Sequence, residues 1–140
     1  MTELIGIIRN CCPVAKFYLH RTWAYDFNSD WEGFTNYGCD QERMFKAICR
    51  ATEHITIKHH LKIIPTGNYI QEVRKNDMFD TKKGIPLYRD GGHLSYLAGR
   101  YLAELVWFRH LLQGNLSFVK YLPEELSGNI SDVLKGYFVK

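Results

Sequence analysis

The 140-residue sequence contains no run of about 18 apolar residues, which is what a membrane-spanning helix needs. Its first stretch, MTELIGIIRNCCP, carries Glu3 and lacks the basic segment of a secretory signal peptide. The four cysteines form no C-x-x-C pair, and two of them are adjacent and too constrained to bond to each other comfortably: Cys11, Cys12, Cys39 and Cys49. We therefore expect a cytoplasmic protein with reduced thiols and no membrane partner.

The chain also lacks a large excess of charge of either sign. The net charge is +3, and the 18 basic residues are scattered along the chain. This excludes the clustered basic footprint of a nucleic-acid-binding protein, so no nucleic-acid partner is expected. The composition, 46% hydrophobic and 14% aromatic, instead predicts one globular domain over residues 1–140.

A histidine-rich segment, EHITIKHH, offers His54, His59 and His60 as conceivable zinc ligands. Two of them are adjacent and point to different faces, and no cysteine spacing supports a metal site. We interpret them as histidines that the helix dipole favours near a helix C-terminus. Neither a metal nor a cofactor is expected.

The central part of the chain predicts an α/β fold. The run AKFYLHRTWAY from Ala15 is rich in aromatic and β-favouring residues and predicts a strand buried on both faces. A polar loop over 26–40 follows, and Asp40 caps a helix whose apolar residues recur every three or four positions. LKIIP, 61–65, is then a second strand. Strand, helix and strand make a βαβ unit, which implies parallel pairing and a right-handed crossover.

The remainder of the chain predicts helices. A short helix is expected near 68–75, and a loop follows it up to His93. A long helix over about 95–112 carries an apolar stripe that should pack on the sheet: Leu97, Tyr101, Leu105, Phe108 and Leu112. A weaker amphipathic helix is expected over 130–138, and there are no internal repeats.

One short motif carries chemistry. In RDGGHLSYLAGRYLAEL, an aspartate and a histidine stand three apart across two glycines, just before the long helix. The glycines let the backbone turn, so the Asp90 carboxylate can reach one ring nitrogen of His93 and leave the other as a base. Taken alone, this spacing is a weak signal, because two charged residues before a helix are usually helix caps and surface charge.

The stretches DGGHLSYLAGRYLAELVW, LHRTWAYDFNSD and DQERMFKAI together resemble the C-terminal half of SGNH (GDSL-like) hydrolases, over roughly residues 3–113. Within that superfamily the likeness is strongest to a bacterial branch catalogued as a domain of unknown function. The resemblance implies a partial flavodoxin-like α/β/α sandwich with parallel strands and crossover helices. It also implies Asp90 as the orienting carboxylate and His93 as the general base.

The resemblance extends to a substrate pocket. Trp23, Tyr25 and Asp26 follow the carboxyl end of the first strand, where open α/β sheets place their ligands. They are the expected substrate-binding residues, whereas Ser95 is expected to cap the long helix.

The chain departs from that family at the nucleophile. The G-D-S or G-N-S block that bears the family's serine is absent, and the serines present stand in other contexts: Ser29, Ser95, Ser117, Ser127 and Ser131. By the resemblance, the chain begins inside the helix before the fourth strand, so we expect a truncated or split product that lacks the first three strands. Such a chain would be inactive alone.

Two functions follow as hypotheses. The first is the catalytic-base half of an esterase that acts on small-molecule or carbohydrate esters, acyl or acetyl, once a complementary N-terminal half is supplied. The second is a non-catalytic module that pairs with another chain, or with itself, through an exposed strand edge. A fragment without a cellular role is a third reading.

Overall fold

Two parallel strands form the sheet of the structure, a computed structural model that describes residues 2–139. Strand β1 (Tyr18–His20) pairs with β2 (Lys62–Ile64), with Leu19 opposite Ile63. Backbone hydrogen bonds continue the pairing by one residue at each end, from Lys62 N to Phe17 O and from Arg21 N to Ile64 O. The predicted parallel pairing is therefore confirmed.

Strand β1 differs from its prediction in length and burial. Three residues of the predicted run form the strand, and all three are half-buried. The expectation of a strand buried on both faces is wrong for these residues. Among the described residues β1 has one partner strand, so nothing in this part of the chain pairs with its second edge.

Helices make up most of the described region beside the two strands, which gives a mixed α/β architecture in which helix predominates. The five α-helices of the described region are α1 (Thr2–Cys11), α2 (Gln41–His59), α3 (Thr66–Val73), α4 (Ala98–Leu111) and α5 (Gly128–Gly136). Three short 3-10 helices lie between them, at Glu32–Tyr37, Asp77–Phe79 and Leu116–Phe118. None of the helices in residues 2–139 is long and apolar enough to cross a membrane.

Helix α2 connects the two strands, as predicted. It begins after Asp40, whose Oδ1 accepts the backbone N–H of Arg43 (2.9 Å). It ends at His60, which takes the left-handed conformation (φ 53°) common at helix C-termini.

Helix α4 carries much of the core and packs on α3 and β2. It begins at Ala98, three residues later than predicted, because Leu94 forms a β-bridge with Tyr88 and Ser95 N–H donates to Leu87 O (2.8 Å). The N-cap residue is Leu97, whose side chain makes no capping hydrogen bond, so Ser95 is not at the predicted cap position. Its hydroxyl still accepts the N–H of Gly99 in the first turn (3.0 Å).

The stripe predicted on α4 is partly right. Tyr101 and Leu105 are buried, and Leu97 and Phe108 pack against the same cluster. Leu112 instead follows the last turn of the helix and is 68% exposed.

Candidate functional site

A tight turn between Tyr88 and Leu94 holds the candidate residues. Oδ1 of Asp90 accepts the backbone N–H groups of Gly92 (3.2 Å) and His93 (2.8 Å). Gly91 has φ +75°, in the left-handed region that favours glycine. The turn therefore folds back on its own aspartate, and that is what brings the side chain of His93 to Asp90.

The expected contact between the two side chains is present. Nδ1 of His93 lies 2.9 Å from Oδ2 and 3.1 Å from Oδ1 of Asp90. The backbone N–H of His93 lowers the pKa of the Asp90 carboxyl most, and the His93 ring and the Gly92 N–H lower it further. Asp90 therefore remains a carboxylate at neutral pH and can hold a proton on Nδ1 of His93.

The ring of His93 opens onto a cavity of about 440 Å³, within the range of small-molecule sites. Its walls combine aromatic, aliphatic and charged side chains: Trp23, Arg89, His93, Leu94, Arg100, Ala103, Glu104 and Trp107. The Trp31 ring packs edge-on against the imidazole, with centroids 5.1 Å apart. Nε2 of His93 has no hydrogen bond to any described residue, so it is available to a substrate.

The residues predicted to bind substrate are divided between two faces of the turn. Trp23 lines the cavity of His93, and its indole N–H donates to the carbonyl of Gly92 (2.9 Å). Tyr25 lies outside that cavity and packs on Trp31 and Phe34, with ring centroids 5.0 and 5.9 Å away. Its predicted contact with substrate is therefore not made from this cavity.

Asp26 is almost wholly buried, 3% exposed, and its backbone N–H donates to the carbonyl of Gly91 (2.7 Å). Its carboxylate accepts the N–H of Phe27. It lines a second cavity of about 440 Å³ on the Asp90 side of the turn, together with Ser29 and Trp31. Asp26 thus holds the turn through its backbone hydrogen bond to Gly91, and it does not line the cavity of His93.

Sequence reasoning missed several residues of the site. Trp107 lies on the long helix outside the predicted apolar stripe; it is 39% exposed and lines the cavity of His93. Arg89 and Arg100 were not singled out, although both lie at this cavity and both stack on the Tyr96 ring. Trp31, which packs on the His93 ring, was also not singled out; the signal in the sequence was an aromatic residue inside an otherwise polar loop.

No hydroxyl or thiol side chain is among the described residues that line the cavity of His93. Ser95 is buried and bonded to Gly99, and Ser29 lies beside Gly91 in the second cavity. Within residues 2–139 no group of three or more His, Cys, Asp or Glu side chains is arranged to hold a metal ion. The arrangement is a histidine ring held by a carboxylate, with no hydroxyl or thiol among the described residues that line its cavity.

Comparison with known proteins gives a family and one solved relative. The model of a family described as "Domain of unknown function (DUF4886)" matches residues 3–137. The chain is also similar to the crystal structure of a DUF4886 family protein from Bacteroides uniformis ATCC 8492, with 32% sequence identity and a TM-score of 0.85. That match covers 96% of this chain and 51% of the relative, so this chain spans about half the length of the solved protein. No curated protein matches the chain.

Proposed function

The chain belongs to the DUF4886 family, and we propose that it carries the base half of an SGNH-type ester hydrolase site, with Asp90 as the orienting carboxylate and His93 as the general base. The parallel strands β1 and β2 and the crossover helix α2 support the corresponding fold proposal, part of a flavodoxin-like sandwich.

The observation that carries the proposal is the hydrogen bond between Nδ1 of His93 and Oδ2 of Asp90, 2.9 Å long. A carboxylate at this position keeps the proton on Nδ1 and leaves the Nε2 lone pair free. Nε2 can then take the proton of an attacking hydroxyl as its oxygen adds to an ester carbonyl. The same proton passes to the departing alcohol when the carbon–oxygen bond breaks, which leaves the acyl group on the attacking oxygen. Water then adds to this acyl group as Nε2 takes its proton, the carboxylic acid leaves, and the proton returns to the hydroxyl, so the base regains its starting state.

The attacking hydroxyl and the donors that stabilise the tetrahedral oxyanion would come from polypeptide outside this chain. The absence of Ser, Thr and Cys from the described lining of the cavity supports this division, as does the extra length of the solved relative. We infer acyl or acetyl esters as substrates, including those of carbohydrates. Alone, the chain should be inactive, because loss of the nucleophile of a triad lowers turnover by about a million-fold.

The test is hydrolysis of short-chain nitrophenyl esters by the chain alone and by the chain fused to the part of the solved relative that it does not match. The proposal expects no activity above buffer for the chain alone and measurable hydrolysis by the fusion. His93→Ala should abolish that hydrolysis, whereas His54→Ala, which changes an exposed histidine of α2, should leave it intact. Hydrolysis by the lone chain, or by the fusion without His93, would contradict the proposal.

A second candidate function is a non-catalytic module that pairs with another polypeptide through β1. It is favoured by the single partner of β1 among the described residues, and by Leu4 and Ile7 of α1, which are 59% and 54% exposed. This alternative expects a stable complex with the complementary half, no hydrolysis in any form, and no change in complex stability with His93→Ala.

A further inference from the structure

An apolar groove lies beside the candidate site, between α4 and the segment 116–121. Large apolar side chains that are open to solvent surround it: Leu112 is 68% exposed, Phe118 76% and Tyr121 66%. Clustered exposed apolar side chains of this size are uncommon on a soluble domain unless they bind something. The site proposed above makes no use of them.

The shape of the groove points to a small ligand. Its volume is about 510 Å³, within the range of small-molecule sites. A stable protein partner usually buries about 800 Å² of surface on each side, far more than a groove of this size offers. Aliphatic and aromatic side chains line it, among them Leu105, Phe108, Leu111 and Val119. The charged lining residues are Glu104 and Lys120.

The groove adjoins the cavity of His93. Glu104 and Trp107 line both spaces, so the indole of Trp107 forms a wall shared between them. Helix α4 runs along both, and a rise of 1.5 Å per residue gives about 12 Å from Ala103 in the first space to Leu111 in the second. An unbranched chain that runs from His93 across Trp107 would therefore reach the groove.

We propose that this groove binds the aliphatic acyl chain of an ester whose carbonyl lies at His93. The inference rests on the proposed function and names its substrate class, medium-chain acyl esters. The released carboxylate would lie in the first cavity, where Arg100 supplies positive charge; Arg89 also lines this cavity but is paired with Asp90 (3.3 Å), and Glu104 is its acidic lining residue. The chain buries methylene groups against the apolar wall, and each buried methylene strengthens binding about fourfold.

The experiment is isothermal titration calorimetry of the 140-residue chain with sodium acetate, hexanoate and decanoate. Affinity should rise steadily from acetate to decanoate. Leu112→Glu places a carboxylate at the groove and should remove the gain from hexanoate to decanoate. Because Leu112 is exposed, this variant should keep the fold, and Phe118→Glu provides a second substitution at an equally exposed position.

Ile57→Glu is the matched control, since Ile57 is an apolar residue of α2 that is 76% exposed and lies outside the groove. It should bind the three carboxylates as the unchanged chain does. Equal affinity for acetate and decanoate would overturn the inference, and so would a gain with chain length that both groove variants retain. Sedimentation velocity tests whether a second copy of the chain occupies the groove instead. A dimer that Leu112→Glu dissociates, together with binding that does not depend on chain length, would overturn the inference and make the groove an interface between two copies.

The ester-hydrolysis and carboxylate-binding experiments distinguish failure of the proposed base from failure of the acyl groove. If the fused protein does not hydrolyse esters, or hydrolyses them without His93, the base assignment fails while decanoate can still bind in the groove. If hydrolysis depends on His93 but acetyl and decanoyl esters react at equal rates, the base assignment stands and the acyl groove is wrong.

Discussion

The indole N–H of Trp23 donates a hydrogen bond to the backbone carbonyl of Gly92, with 2.9 Å between nitrogen and oxygen. The bond ties the segment after β1 to the turn that holds Asp90 and His93. The turn that carries the proposed base is thus also held by a residue far from it in the sequence.

Trp23→Phe removes this donor and keeps an aromatic ring in the cavity wall. Gly92 is buried, so its carbonyl loses its partner, and we expect the free energy of unfolding to fall by about 1–3 kcal/mol. Urea unfolding followed by circular dichroism measures the change. Trp107→Phe is the control, because the indole N–H of Trp107 has no hydrogen-bond partner among the described residues; equal losses in the two variants would show that the hydrogen bond contributes nothing.

Gly91 should not tolerate a side chain. Its φ of +75° costs about 1–2 kcal/mol for a residue with a β-carbon, and that carbon would lie 3.0 Å from Cα of Ser29. We therefore expect Gly91→Ala to lower the melting temperature. Gly6→Ala, in α1 with open space around it, should raise stability by about 0.5–1 kcal/mol. A Gly91→Ala variant as stable as the unchanged chain would refute this account of the turn.

The elements that the sequence predicted correctly depend on local interactions. The cap of Asp40, the apolar spacing of α2 and the glycines between Asp90 and His93 all act within a few residues. That is why helix α2 and the Asp90–His93 contact were predictable.

The elements that it predicted poorly depend on distant contacts. Helix α4 begins late because Leu87 and Ser95 hydrogen-bond across the turn. Trp107 lines a cavity because His20 of β1 packs on its ring, with centroids 5.1 Å apart, and no local pattern signals that neighbour. The burial of β1 depends on what lies along its second edge.

Stability should fall in mildly acidic solution because of His20. Burial lowers the pKa of its imidazole below the ordinary value of 6.5, and the ring lies against Trp23 and Trp107 with Nε2 2.8 Å from Oγ1 of Thr66. The unfolded chain then binds more protons than the folded chain as the pH drops below about 6.5, so protonation favours unfolding in that window.

Urea unfolding at pH 7.5 and at pH 5.5 checks this direction. His20→Gln should reduce the difference in unfolding free energy between the two conditions. Some difference should remain, because burial also lowers the pKa of His110. His54→Gln, at an exposed position on α2, should leave the difference unchanged, and a chain more stable at pH 5.5 than at 7.5 would contradict the assignment.

The Asp90 carboxylate should determine which ring nitrogen of His93 carries the proton. A carboxylate 2.9 Å from Nδ1 stabilises the neutral tautomer that is protonated there, so nitrogen-15 NMR of the neutral ring should show Nδ1–H and an unprotonated Nε2. Asp90→Asn replaces an acceptor with an amide whose NH₂ group can donate to Nδ1, and the ring proton should move to Nε2. Asp132→Asn, the same substitution on α5, should leave the proton on Nδ1 of His93, as in the unchanged chain. Since a base needs a free Nε2 lone pair, an unchanged chain protonated on Nε2 would remove Asp90 as the orienting group and His93 as the base.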